Sequence, residues 1–193
     1  MKAQRNAALL GLLAVALLAA PAAAEEPRTW VEVRSANLIV VSDAGERRAR
    51  EIAEEFEKFR LAYRTVWPEA KLDSGKPLVL LATTEESSLR ELLPEYWERK
   101  GRTQPSGIFV PSEERFYLAV QIGAHAGQPF HALYHEYMHL LNRLNYAALP
   151  AWLNEGLAEM YATARLVGRT AAFGALHTAH LQVLRSSDLL PLD

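Results

Sequence analysis

The sequence predicts an α+β domain, on three observations. β-branched and apolar runs cluster early, at 31–42, 77–83, 108–110 and 115–122. One long amphipathic stripe separates the first run from the second. From residue 129 onward the apolar spacing turns helical. Strands with one helix, then a sheet, then helices, is the order of an α+β domain.

The elements follow in chain order. The chain opens MKAQRNAALLGLLAVALLAAPAAAEEP, with Lys2 and Arg5 before a small-apolar run of 14 residues, Ala7 to Ala20. Ala22-Ala23-Ala24 supplies the small residues of a cleavage site, so residues 1–24 are expected to be a secretory signal peptide and 25–193 the mature domain. The run is short of the ~20 residues a membrane span needs, and no cysteine follows it for a lipid anchor. Removing 1–24 takes away Lys2 and Arg5 and no carboxylate, so the charge of -2 becomes -4. That mild acidity argues against a nucleic-acid partner. An exported chain without cysteine has no disulfides to hold it, so the core or a metal must. The expected location is periplasmic or extracellular.

VEVRSANLIVVS (31–42) reads as a strand, or as two around Ser35–Asn37. Asp43-Ala44-Gly45-Glu46 has the form of a capping box. Behind it Ile52, Phe56, Phe59, Tyr63 and Val66 mark the apolar face of a helix over about 44–66, which Pro68 ends. PLVLLAT (77–83) is a continuous apolar run fit for a central strand. Thr83 to Glu86 is expected to cap a short helix that stops before Pro94. IFV (108–110) and RFYLAVQI (115–122) predict a hairpin around Pro111–Glu114. Helices are expected over about 129–145 and 150–165, and a last one over 170–186. Trp152, Leu153, Leu157, Met160 and Tyr161 are expected to pack the second of these on the first.

HEYMH, His135 to His139, carries the chemistry. Residues four apart on a helix project from one face, one turn apart, so both imidazoles can reach one ion. Glu136 points to the neighbouring sector, placed as a base and not as a ligand. The motif alone arises by chance often enough that a third ligand has to decide. A metzincin needs Gly at 142 and His at 145, where this chain has Asn142 and Asn145. His131 lies one turn before His135 on the same face, but three ligands on one straight helix cannot surround an ion, so it is a pocket or supporting residue, or simply a histidine at the helix start. Glu155, in LPAWLNEGLAEMYA, opens the next helix, shares a face with Glu159, and is brought back by the short loop 145–149.

HEYMH followed by WLNEGLAE resembles the gluzincins. It is similar to the zinc aminopeptidase branch, with its W-L-N-E-G signature, and more closely to the exported peptidase MA-like family. The resemblance covers about 129–162. It implies a zincin-like domain: a small mixed sheet, an active-site helix, and a following helix with the third ligand. It implies one Zn2+ per chain on His135, His139 and Glu155, with Glu136 as catalytic base. Glu159 would orient a ligand histidine. The implied activity is peptide-bond hydrolysis on a polypeptide, along IFV or FYLAVQ as the strand beside the cleft. The aminopeptidase branch carries a G-x-M-E-N glutamate for the substrate amine; the matching region here, RFYLAVQIGAHAG, has none, which favours an endopeptidase. Tyr161, His177, His180 and His131 are the candidates for oxyanion or substrate contacts. The chain stops at LLPLD where relatives continue with further helices. A non-catalytic zincin-fold protein of the cell envelope is therefore the alternative reading, and a third is an assembly factor with an adhesive hairpin exposing Phe109, Phe116 and Tyr117.

Overall fold

The computed structural model describes residues 28–98, 105–125, 127–176 and 178–186. The expected signal peptide and His177 lie outside them. The segment 31–42 is two strands, β1 (Val31–Arg34) and β2 (Ile39–Ser42), antiparallel around a turn closed by the Ser35 N–H on Leu38 O at 2.9 Å. Helix α1 (Glu46–Val66), β3 (Leu78–Thr83) and α2 (Glu86–Leu92) follow. Then come β4 (Gly107–Pro111) and β5 (Phe116–Gln121), the expected hairpin. Helices α3 (His131–Asn145) and α4 (Ala151–Ala162) stand where the helical spacing put them. The short strands β6 (Arg165–Val167) and β7 (Thr170–Ala172) and helix α5 (Thr178–Ser186) close the order.

The protein is thus an α+β fold with a small mixed sheet. Its five strands run β1-β2-β3-β5-β4. PLVLLAT takes the centre, parallel to β2 on one side and β5 on the other. A strand buried on both faces needs apolar residues at every position, and Leu78, Val79, Leu80 and Ala82 are all buried. Leu78, Leu80 and Ala82 join Leu118 and Val120 of β5 in one core, with Ile52, Phe56 and Phe59 of α1 and Leu133, Tyr137, Leu140 and Leu141 of α3. Val79 and Ala119 alternate to the opposite face, and α2 packs on β3 and β5. Strand β4 is an edge, while β5 is paired on both sides and cannot add a substrate strand.

Aromatic rings join α1 to α3: Phe56 meets Tyr137 edge-on at 4.7 Å and Phe59 stacks on Tyr134 at 4.4 Å. Arg60 is buried beside them. Its guanidinium donates to Tyr137 OH at 2.6 Å, Leu72 O at 2.9 Å, Asp73 at 2.6 Å and Asn37 Oδ1 at 3.1 Å. Arg60→Met is expected to cost roughly 3 kcal/mol in chemical denaturation, because the fully buried Tyr137 hydroxyl and the Leu72 carbonyl lose their donor. An unchanged midpoint would show that solvent replaces the guanidinium without loss.

The structure corrects several expectations. Asp43 does not cap α1: the cap is Gly45, at φ 80, with no side-chain bond. That turn leaves Asp43 facing the start of α2, where it accepts from the Thr84 N–H at 2.8 Å and the Ser88 hydroxyl at 2.9 Å. Thr83 is the last residue of β3, and α2 starts only at Glu86. Val66 is half exposed at the end of α1. Helix α4 ends at Ala162, and 165–172 is a hairpin turned by Gly168, at φ 58, where helix was expected on both sides. Trp152 and Met160 are exposed; Tyr161 is buried as expected, with Ala158 and Ala162 on the packing face beside it; small residues let the helices approach closely. Phe116 is buried against Phe109, ring centroids 5.6 Å apart, so the hairpin does not expose an adhesive aromatic face.

Candidate metal centre

Helix α3 packs on α4 and, through its sheet-facing side, on β4 and β5. His135 and His139 sit on the remaining stripe, facing the first turn of α4 across the 146–150 connection. Their rings meet edge-on at 4.9 Å. Glu155 Oε2 lies 3.3 Å from His135 Nε2 and 3.7 Å from His139 Nε2. Donors held at about 2.0–2.2 Å in a tetrahedron lie roughly 3.4 Å apart, so these three atoms have the spacing of ligands to one ion. Two imidazoles and a carboxylate are also a donor set that suits a divalent transition metal.

The other ring nitrogens are engaged, which fixes the rings. Glu159 Oε1 is 3.2 Å from His135 Nδ1, and its Oε2 is 3.5 Å from the buried His131 Nε2. Hydrogen bonds from His131 and His135 hold the Glu159 carboxyl far below the usual glutamate range. Asn154 places its side-chain amide 2.9 Å from His139 Nδ1, and the far end of that amide bonds Asn142 at 2.9 Å. Sequence reading gave Asn154 and Asn142 no role at the site, although their spacing from the two histidines could have found them. Asn154 Nδ2 faces His139 Nδ1 and its Oδ1 accepts from Asn142 Nδ2; holding an ion on His139 Nε2 requires both amides turned, so that Asn154 Oδ1 accepts from Nδ1–H. Burial and the neighbouring His135 lower the His139 pKa. His135 moves the other way: burial opposes its charge, but the carboxylates of Glu159, Glu136 and Glu155 outweigh that and raise it.

Glu136 lies beside the pair, and each of His135, Glu136 and His139 offers an atom within 4.8 Å of the others. Its side chain is 8% exposed. Burial raises its pKa to about 7, against the opposing pull of His135 and of the Phe109 backbone N–H on the edge strand, from which the carboxylate accepts. A carboxyl near neutrality can take a proton and return it, as a general base must.

The raised value has a consequence for folding without metal. The folded chain keeps on Glu136 a proton that the unfolded chain releases above about 4.5. Stability therefore falls as pH rises from about 4.5 through about 7. Glu136→Gln, which stays neutral, is expected to stabilise the chelator-treated protein on the order of 3 kcal/mol at pH 8, and hardly at all at pH 4. Melts across that range check it, and an equal gain at both ends would contradict the burial of Glu136 as a charge.

These groups line a cleft of about 1280 Å³ between β4, α3 and the start of α4. Of the remaining candidates, His131 lines it and backs Glu159. Tyr161 does not. It is 5% exposed, its hydroxyl accepts from Trp67 Nε1 at 2.6 Å, and its ring packs on Tyr63 and Phe173. The helical phase of α4 carries it to the core, on the side of the helix away from Glu155 and Glu159. His180 is exposed on α5, its Nδ1 3.9 Å from Glu159 Oε2, behind the centre and outside the cleft lining. Two wall residues were not anticipated: His125, from the loop after β5, with Nε2 2.9 Å from Ser106 Oγ and its ring 4.2 Å from that of His131. No family model matches the chain, and no curated protein matches it either.

Proposed function

We propose that the chain is an exported zinc metallopeptidase of the gluzincin kind, cleaving polypeptides internally. The observation that carries this reading is the convergence of His135 Nε2, His139 Nε2 and Glu155 Oε2, with Glu136 buried beside them on the floor of an open cleft. His135, His139 and Glu155 would hold the ion, and Glu159 and Asn154 would hold the two rings. Bound zinc supplies a Lewis acid that polarises a carbonyl and lowers the pKa of water. Glu136 takes the proton of the attacking water and passes it to the leaving amine. The edge strand β4, GIFVP, borders the cleft and offers backbone groups to an extended chain. It carries no carboxylate for a substrate amine, which favours an endopeptidase over an aminopeptidase.

The test is metal per chain by elemental analysis of the purified protein, beside cleavage of an unfolded protein substrate. About one zinc, with cleavage stopped by a chelator and restored by added zinc, supports the reading. A protein that folds, binds no metal and cleaves nothing contradicts it.

A further inference from the structure

Strand β4 passes Glu136 with a glycine. A Cβ placed on Gly107 would lie 2.7 Å from Glu136 Cγ, 3.0 Å from its Oε1 and 3.2 Å from its Cδ. Carbon atoms do not approach so closely without displacement. Backbone conformation is not the reason for a glycine here. Among the described residues the glycines with positive φ are Gly45, Gly75, Gly123, Gly127, Gly168 and Gly174, and Gly107 is not one of them. It is an ordinary ladder residue opposite Val120. Space is what distinguishes the position.

Glu136 cannot move aside cheaply. Its Cα is fixed in the middle of α3, its side chain is buried, and its carboxylate is bonded to the Phe109 N–H. Gly107 and Phe109 are two apart on the strand, so their backbones face the same way from it. One leaves room for the glutamate stem and the other holds its end.

We propose that Gly107 is a positioning residue: the missing side chain lets the edge strand and Glu136 lie in contact, and so sets where the Glu136 carboxylate stands in the cleft. The consequence for catalysis rests on the function proposed above; the contact itself does not.

Two measurements separate the two. The first is thermal stability in a double-mutant cycle. Alanine suits a strand interior better than glycine, so Gly107→Ala should raise Tm wherever there is space. It is expected to lower Tm in the wild type, and to raise it when Glu136→Ala has removed the opposing atoms. A raised Tm in both backgrounds overturns the proposal. The second is activity at matched zinc content. A misplacement of about 1 Å can cost about 10²-fold, and Gly107→Ala is expected to lose kcat/KM on that scale with zinc per chain unchanged. In a Glu136→Asp background, one methylene shorter, the same change should cost much less. Wild-type cleavage by Gly107→Ala overturns the positioning role. A wild type that cleaves nothing, with the Tm reversal present, refutes the peptidase reading and leaves the contact standing.

Discussion

Glu136→Gln is expected to bind one zinc as the wild type does and to lose about 10²–10⁴-fold in the rate of peptide cleavage, the range a positioned general base contributes. The substitution keeps the size of the side chain and its contact with Gly107. It removes the ability to accept a proton. Glu155, His135 and His139 are untouched, so the three converging donor atoms remain. The loss should fall on kcat and leave KM nearly unchanged, because glutamine fills the same volume without adding to the cleft wall. Elemental analysis and steady-state kinetics on the same preparation check it. Equal cleavage by the variant would remove Glu136 from the chemistry.

Glu155→Ala is expected to lose the metal, and all activity with it. Among the described residues Glu155 is the carboxylate that lies within 4.0 Å of both imidazole Nε2 atoms, at 3.3 and 3.7 Å. Glu136 is the other group within reach, but the Phe109 N–H and the wall at Gly107 hold it on the strand side. The loss should therefore far exceed the roughly 10–100-fold expected for Glu159→Gln, which only loosens the His135 ring. Competition with a chelating dye measures both. If Glu155→Ala kept wild-type affinity, the ion would be held by His135, Glu136 and His139, and Glu136 would be a ligand in place of a base.

Much of this was legible locally. The helical spacing of 129–145 and 150–165 placed α3 and α4 within two residues of their observed starts, although α4 ends three residues earlier than expected. An uninterrupted apolar run identified the central strand, since only a strand covered on both faces needs no alternation. The four-residue spacing of His135 and His139 put both on one face of α3. The order of α3, short loop and α4 was enough to bring Glu155 and Glu159 within reach of them. Periodicity was silent where elements are too short to have one, and the three-residue strands β6 and β7 went unseen, β6 overlapping the end of one expected helix and β7 the start of the next.

What the sequence by itself determined was a set of faces: which residues of each helix point together, which strand is buried on both sides, and which donors share a turn. Tertiary structure alone decided which faces meet. It carried Tyr161 into the core with its hydroxyl toward Trp67, turned Asp43 toward α2, made β4 the edge beside the cleft, and laid Gly107 against Glu136. The physical reason is the range of the two kinds of force. Backbone periodicity is set within a few neighbouring residues and repeats along the chain. A contact between residues far apart exists only after the sheet order and the helix packing have closed the loops between them, and no local window of sequence records that closure.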